Sequence, residues 1–261
     1  MIKAIFFDID GTLVSFEQKT ISDQLRADLK ALQGKGVKIF ICTGRARQDL
    51  ERTGMLRDVE FDGYVTLNGQ HCYDKDGVYR DVTICREDLE NACKVLAEHP
   101  ELTVLMEGNG ETYINQFSER ARELFLFLHT EPYEVRSIDW LLEGRVYQFV
   151  PLVEEGGEDQ FLSVMPHCVY TRWHPKGIDI LPADGGKATG IRATLERYGL
   201  EPDELMAFGD GENDASMLQL AGIGVAMGNG EERIKALADY VTAPAWEDGV
   251  SQALRHFGLL D

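Results

Sequence analysis

The sequence contains few basic residues, and this scarcity limits what the protein can bind. Its 261 residues include 26 lysines and arginines against 45 aspartates and glutamates, which gives a formal net charge of −19. Nucleic acids and anionic membranes reward clustered Lys and Arg side chains, so we expect neither as a partner. A phosphate-bearing ligand would have to be attracted by a bound cation and a few local basic groups.

Long apolar runs and paired cysteines are also missing. No apolar run reaches the roughly 18 residues of a membrane span, and the first residues lack the pattern of a signal peptide. Five cysteines are scattered through the chain without a CxxC pair, and their contexts predict reduced core thiols: Cys42, Cys72, Cys85, Cys93 and Cys168. We therefore expect a soluble, cytoplasmic protein, whose oligomeric state the sequence leaves open.

Repeats, collagen-like periodicity and disordered composition are absent, and what remains is an ordinary globular chain. Its 44% apolar content and its length allow one large domain or two small ones.

The first apolar segment ends in two carboxylates. Residues 2–7 are predominantly apolar and are followed by Asp8, Ile9, Asp10, Gly11 and Thr12. A run without polar alternation predicts a parallel strand that is covered on both faces, and open α/β sheets bind ligands at the carboxyl ends of such strands. Two adjacent carboxylates repel each other unless a cation neutralises them, which favours Mg²⁺ and an anionic substrate. An isolated DxD is more often a solvated turn, so the rest of the chain must decide.

A second predicted strand, residues 37–42, ends in Thr43, Gly44 and Arg45 after a helix capped by Ser22. A strand, a helix and a strand in succession form a right-handed parallel unit, which places Thr43 near Asp8. A hydroxyl and a backbone N–H at a helix start can bind phosphate oxygens. Taken alone, Thr43 and Gly44 indicate plain helix capping.

Three further segments add polar groups at predicted strand ends or helix starts. Residues 61–67 form a strand that ends at Asn68 and Gly69, and Lys187 opens a later helix. Residues 205–209 form another buried strand, and the polar residues that follow it are candidate ligands of a metal or of the groups around it: Asp210, Asn213 and Asp214. Found together and in this order, the motifs point to one active site far more specifically than any single motif does.

Between these motifs the pattern changes to hairpins beside helices. We predict helices at 87–98, 119–128 and 158–165, and strands at 102–107, 111–115, 146–150, 168–173 and 178–182, with a turn at 108–110. This indicates an α+β module. The predicted fold class is α/β, a Rossmann-like parallel-sheet core of residues 1–82 and 185–261 with an inserted α+β cap of residues 83–184. Some polar cap residues are substrate candidates, although such residues are more often solvated: Glu107, Arg172, His174 and Lys176.

The motif set resembles the haloacid dehalogenase superfamily of phosphohydrolases. The matching residues are 8–12, 43–45, 187 and 209–214, and the Asn68-Gly69 loop with a cap of about 100 residues is similar to the Cof-type branch, which includes sugar-phosphate phosphatases. The resemblance implies an Mg²⁺-dependent hydrolase of small phosphorylated metabolites, most often hexose phosphates, and a cap that closes on hinges near residues 82–84 and 182–186.

The same resemblance implies roles for the matched residues. The implied catalytic residues are Asp8 as nucleophile, Asp10 as general acid and base, Thr43 and Lys187. The implied metal ligands are Asp8, Asp10 through its main-chain carbonyl, Asp210, Asn213 and Asp214. The implied substrate-binding residues are Gly11, Thr12, Thr43, Gly44, Arg45, Asn68, Gly69, Asn213 and, from the cap, Arg172.

Three alternatives stay open at this point. A phosphosugar mutase would share the first half-reaction. A receiver-like signalling module also uses clustered aspartates, a threonine and a lysine, but such modules are near half this length. A haloalkanoate dehalogenase would leave the second aspartate and the metal carboxylates without a role.

Overall fold

The computed structural model describes residues 1–15, 18, 20–108, 110–128 and 131–261. The chain divides into two units, Met1–Asp81 with Gly186–Asp261, and Val82–Gly185. These bounds lie one residue from those expected from the sequence. None of the helices in the described ranges combines the length and the apolar character needed to cross a bilayer.

The first unit is built on an eight-stranded sheet. Its elements before the second unit are β1 (Ala4–Phe7), α1 (Asp23–Gly34), β2 (Lys38–Cys42), α2 (Arg47–Thr53), β3 (Gly63–Thr66), β4 (His71–Asp74) and β5 (Gly77–Asp81). The second unit contains α3 (Arg86–Glu98), β6 (Val104–Gly108), β7 (Glu111–Ile114), α4 (Glu119–Leu128), β8 (Glu134–Val135), β9 (Val146–Pro151), α5 (Asp159–Leu162), β10 (Cys168–His174) and β11 (Gly177–Pro182). The first unit then resumes with α6 (Lys187–Tyr198), β12 (Leu205–Gly209), α7 (Ala215–Leu220), β13 (Ile223–Ala226), α8 (Glu232–Lys235), β14 (Tyr240–Val241) and α9 (Gly249–His256).

The strand order in the first unit is β14-β13-β12-β1-β2-β3-β4-β5, parallel from β14 to β3 and antiparallel thereafter. Successive residues of β1 alternate between two apolar layers. Ile5 and Phe7 pack with α1 and α9, whereas Ala4 and Phe6 pack with α6 and α7. Both faces of the central strands are therefore covered, which explains their uninterrupted apolar sequences. The α/β fold class predicted from these runs is confirmed.

The second unit is an α+β module with its own sheet, in the order β10-β11-β9-β6-β7-β8. All pairs in it are antiparallel except β7 with β8. One face packs against α3 and α5, and the other against α4. The predicted helices and strands are present with shifts of a few residues, but β8 and a short 3₁₀ helix at Ile138–Leu142 were not predicted. β8 is only two residues long and exposed, so it leaves no apolar pattern in the sequence. The 3₁₀ helix is largely apolar, but its five residues are too few to show a helical repeat. The central residue of the predicted 108–110 turn lies outside the described residues.

The cysteines correct one prediction. Cys42 and Cys72 are buried and all five thiols are free, but Cys85 is exposed and Cys93 and Cys168 are partly exposed. Cys85 directly precedes the surface helix α3 and Cys168 begins the edge strand β10, so neither position is enclosed on all sides. Only the two thiols of the first unit are core thiols.

Candidate active site

Asp8 lies at the carboxyl end of β1, where the central parallel strands end. Its main-chain N–H donates to the carbonyl of Phe208 at 3.0 Å, which continues the pairing of β1 with β12. The side chain is 8% exposed. Its Oδ1 accepts a hydrogen bond from Lys187, while Oδ2 has no hydrogen bond from the described residues. One carboxylate oxygen is therefore held and the other is available for chemistry.

Lys187 is the first residue of α6 and is 1% exposed. Its Nζ lies 2.6 Å from Oδ1 of Asp8 and 2.5 Å from Oδ1 of Asp214. The other oxygen of Asp214 accepts the main-chain N–H groups of Asp210 and Gly211 at 2.9 and 3.0 Å. Asp214 therefore links the lysine to the loop that follows β12.

Asp210 follows β12 and faces the loop that follows β1. The hydroxyl of Thr12 donates to its Oδ1 at 2.9 Å, and the amide of Asn229 donates to its Oδ2 at 3.4 Å. Gly11 has a φ of +85°, and a Cβ on it would lie 2.2 Å from Oδ2 of Asp210. Thr12 and Gly11 thus shape the position of Asp210, a role that differs from the substrate contacts expected of them.

The ionised forms of the carboxylates at the ends of β1 and β12 are destabilised. Burial raises the pKa of Asp8 from 3.8 to about 7; Lys187 opposes this rise, and the carboxylates of Asp214 and Asp10 add to it. Burial and the charge of Asp8 also raise the pKa of Asp210 well above its ordinary value. Burial acts against the charged form of Lys187, but Asp214 and Asp8 together raise its pKa. A single lysine therefore does not balance the three carboxylates, and a further cation would be stabilised here.

The oxygen donors at this edge fit a divalent hard cation. One carboxylate oxygen from each of Asp8, Asp210 and Asp214 lies within 4.8 Å of the other two. The set contains no sulfur or nitrogen ligand, which suits Mg²⁺. Both oxygens of Asp214 accept hydrogen bonds of 3.0 Å or less, one of them from the ammonium of Lys187. Oδ2 of Asp8 accepts none from the described residues, and Oδ2 of Asp210 accepts only a long one of 3.4 Å, so Asp8 and Asp210 are the better-placed side-chain ligands.

Asp10 is held by an arginine. The Nε and Nη2 of Arg45 lie 2.5 and 2.7 Å from the two oxygens of Asp10, a bidentate pair that is partly exposed. The sequence placed Arg45 in the substrate-binding group. In the structure its guanidinium fixes the orientation of the predicted acid and base.

Thr43 and Gly44 lie at the end of β2, as predicted. The Thr43 side chain is 1% exposed, and its oxygen accepts the N–H of Arg45 at 3.1 Å, so its own O–H remains able to donate. A Cβ on Gly44 would lie 3.3 Å from the amide of Asn68, and that amide accepts from Asn213 at 3.1 Å. Asn68 has a φ of +52°, which asparagine tolerates better than most residues. These residues form one polar cluster beside the carboxylates.

Gly69 is positioned for packing. Its φ is +92°, and a Cβ there would lie 2.3 Å from the carbonyl of Gly186 and 3.1 Å from the N–H of Gly190. Only glycine allows this approach of the loop to the start of α6. Gly69 therefore acts on the site through the position of Lys187.

The polar residues suggested in the second unit have partners within that unit. Arg172 pairs with Glu158 at 2.9 Å and donates to the carbonyl of Val153 at 3.0 Å. Lys176 pairs with Glu123 at 2.6 Å. His174 and Lys176 line a cavity of about 340 Å³, and Glu107 accepts from Gln148 at 3.4 Å. For Arg172 the contacts indicate a structural role.

Asn229 is the residue that the sequence analysis missed. Its amide donates to the carbonyl of Gly11 at 2.8 Å and towards Asp210, and its oxygen accepts the N–H of Ala245 at 2.9 Å. It lies between two glycines after β13, the same arrangement of a polar residue at a strand end that singled out Asn68. That signal was present in the sequence.

A family model for haloacid dehalogenase-like hydrolases matches residues 5–254. The chain belongs to this family. The predicted family and the predicted enzyme class, a haloacid dehalogenase-type phosphatase, are thereby confirmed. YkrA of Bacillus subtilis, which is named as a phosphatase, is 32% identical over 99% of this chain and 98% of its own.

Two solved structures of this hydrolase family are also similar over the whole chain. BT4131, described as a sugar phosphatase of subclass IIB, has a TM-score of 0.88 and 36% identity, covering 99% of this chain and 100% of its own. BT1666 of Bacteroides thetaiotaomicron, described among phosphatases of the same superfamily, has a TM-score of 0.91 and 35% identity, covering 100% and 96%. The carboxylates at the ends of β1 and β12 therefore lie in a hydrolase whose similar proteins are described as phosphatases.

Proposed function

We propose that the protein is an Mg²⁺-dependent phosphohydrolase that cleaves small phosphate monoesters through an aspartyl-phosphate on Asp8. The observation that carries the proposal is the pairing of buried Asp8 with Lys187 beside Asp210 at the carboxyl edge of the sheet. Hexose phosphates are the first substrate class, since a structurally similar protein of 36% identity is described as a sugar phosphatase.

The first half-reaction uses the available oxygen of Asp8. This oxygen attacks phosphorus, the bond from phosphorus to the leaving oxygen breaks, and Asp10 donates its proton to the leaving alcohol. Lys187 keeps the opposite oxygen of Asp8 in place and offsets negative charge next to the phosphoryl group. Dividing one hydrolysis into two displacements lowers the barrier of each.

The second half-reaction regenerates the enzyme. Asp10, now a carboxylate, accepts a proton from the water that attacks the phosphorus of the aspartyl-phosphate. The phosphorus–oxygen bond to Asp8 breaks, and inorganic phosphate leaves. The pairing with Arg45 keeps Asp10 in one orientation for both proton transfers.

The phosphoryl oxygens would be bound by hydrogen-bond donors that the fold has already positioned. These are the hydroxyl of Thr43, the N–H of Gly44 and the ammonium of Lys187. Asp8, Asp210 and the main-chain carbonyl of Asp10 would hold Mg²⁺, which supplies positive charge that offsets the charge on the phosphoryl oxygens.

A panel of phosphate esters tests the proposal. The purified protein is assayed with Mg²⁺ against hexose phosphates, pentose phosphates, flavin mononucleotide and pyridoxal phosphate, and free phosphate is measured without any added acceptor. We expect release of free phosphate, fastest with a hexose phosphate. Conversion between sugar phosphates with no free phosphate would instead identify a mutase.

A further inference from the structure

A second group of metal-ligating side chains lies in the Val82–Gly185 unit. Cys85 precedes α3, Asp88 lies in the first turn of that helix, and His167 directly precedes β10. One ligand atom from each lies within 4.8 Å of the other two. The Sγ of Cys85 is 3.6 Å from Nδ1 of His167, and this nitrogen is 3.2 Å from Oδ1 of Asp88. The proposed phosphohydrolase mechanism uses none of these residues.

Asp88 is a buried carboxylate that lacks a lysine or arginine partner among the described residues. Its side chain is completely buried, and no lysine or arginine in the described ranges pairs with it. Its contacts are the main-chain N–H of His167 at 3.1 Å, the ring of His167, and the thiol of Cys168 at 3.3 Å. Burial of a carboxylate that has no lysine or arginine partner among the described residues is costly, so a positive charge at this point would be strongly stabilised.

Two of the three separations between the donor atoms are close to those around a tetrahedral zinc ion. Zn–S bonds of about 2.3 Å and Zn–N and Zn–O bonds of about 2.0–2.2 Å place a sulfur about 3.5 Å from a nitrogen and a nitrogen about 3.4 Å from an oxygen. The observed distances of 3.6 and 3.2 Å are close to both. A metal in this position would require the proton of His167 to be on Nε2.

The surrounding groups suit a metal ligand set. Cys85 is exposed, as is His167, so the donors can be reached from solvent. Cys168 acts differently: its thiol donates a hydrogen bond to Oδ2 of Asp88 at 3.3 Å. That hydrogen bond orients the carboxylate and leaves Oδ1 towards His167.

We propose that Cys85, Asp88 and His167 bind Zn²⁺ or a similar borderline divalent cation, with water as the fourth ligand. The thiolate and imidazole donors distinguish this site from the oxygen donors at Asp8, Asp210 and Asp214, and they favour zinc over magnesium. The ion would connect the start of α3 to the segment that precedes β10.

Cobalt substitution tests the site directly. The metal-free full-length protein, kept reduced and in excess Mg²⁺ to fill the oxygen site, is titrated with Co²⁺. We expect one equivalent to produce a near-ultraviolet charge-transfer band that only thiolate ligation gives, and Zn²⁺ to abolish this band by displacement. Absence of a thiolate band would overturn the proposal and leave Asp88 as a group that only fastens the adjoining segment.

Three variants identify the ligands. Cys85→Ser should lose the band, and His167→Gln should bind Zn²⁺ at least about tenfold more weakly. Cys93→Ser is the matched control, since this thiol lies on the same helix α3 and donates to the carbonyl of Ile138 at 3.7 Å; it should retain the band and the affinity. A band that persists in Cys85→Ser would also refute the proposal. Thermal unfolding checks each fold, and Zn²⁺ should raise the Tm of the wild type but not of Cys85→Ser.

Discussion

Lys187 is one side chain that fixes the positions of two carboxylates in the proposed active site. It is buried, it bonds to Asp8 and to Asp214, and its ammonium restricts both carboxylates to one geometry. Removing one partner of such a buried pair leaves an uncompensated charge, which costs about 3–5 kcal/mol. The family resemblance implied a catalytic role for Lys187. The further bond to Asp214 depends on how the loop after β12 folds, which the local sequence does not specify.

Arg45 provides a test at the scale of one residue. We predict that Arg45→Gln lowers kcat about 10- to 100-fold, because Asp10 loses the bidentate contact that orients it for proton transfer. The pair is partly exposed, so the free energy of unfolding should change by no more than about 1 kcal/mol. Steady-state kinetics and urea unfolding measure the two effects.

Arg47→Gln is the control for that variant. Arg47 lies two residues further on and pairs with the exposed Glu51, so its loss should leave kcat unchanged. If Arg45→Gln retains full kcat, Arg45 does not position Asp10 for catalysis.

At the scale of elements, the strands were the most predictable part of the fold. β1, β2 and β12 are apolar because both faces of each are covered, and a run of apolar residues between polar turns records this directly. β8 is only two residues long and exposed, and it pairs with distant β7, so nothing local marks it. The predicted strand ends also gave the positions of the loops that form the site, whereas the contacts between those loops could be seen only in the structure.

The loop after β1 gives a test at this scale. We predict that Gly11→Ala lowers kcat by at least about tenfold and raises the Mg²⁺ concentration needed for half-maximal activity, because the added Cβ would displace the carboxylate of Asp210. The left-handed backbone adds a cost of about 1 kcal/mol in stability. Phosphate release across a range of Mg²⁺ concentrations measures the effect on function.

Gly36→Ala separates strain from displacement. Gly36 has a φ of +84°, almost the same as the +85° of Gly11, but its Cβ would meet no atom within 4 Å. This variant should lose similar stability and keep its kcat. Equal kcat in the two variants would show that the close approach of Gly11 to Asp210 has no part in catalysis.

At the scale of the whole molecule, the net charge of −19 makes binding of an anionic substrate depend on local compensation. The acidic composition excluded nucleic acid and membrane as expected partners, but it could not show where the compensating charges lie. The fold brings Lys187 and Arg45 next to the carboxylates of the proposed active site, although these residues come from segments far apart in the chain. The family assignment followed from the order of the motifs, while the Arg45–Asp10 pair became visible only through tertiary contacts.

Metal and pH should act together on stability. Burial raises the pKa of Asp8 from 3.8 to about 7 and also raises that of Asp210. In the metal-free protein, the stability contributed by protonated Asp8 is fully present below pH 3.8 and is lost as the pH rises through about 7. Because Mg²⁺ binds the ionised carboxylates, it should counteract this loss.

We therefore predict that the increase in Tm caused by Mg²⁺, relative to EDTA, is larger near pH ~8 than near pH ~5. EDTA should also abolish phosphate release, and added Mg²⁺ should restore it. A Tm increase that is the same at both pH values would contradict ionisation of these buried carboxylates as the basis of metal binding.

Trapping the phosphorylated enzyme tests the central proposal most directly. The protein is mixed with its best substrate, quenched in acid during turnover and mapped by mass spectrometry, with Asp8→Asn as the comparison and the exposed Asp23→Asn as control. For the wild type we predict a phosphorylated peptide that contains Asp8. This phosphorylated peptide should be absent from Asp8→Asn, and kcat of that variant should be reduced at least about 10³-fold. Asp23→Asn should show the same phosphorylated peptide and the same kcat as the wild type. Phosphate on another residue, or substantial turnover by a folded Asp8→Asn protein, would contradict the assignment of Asp8 as the nucleophile.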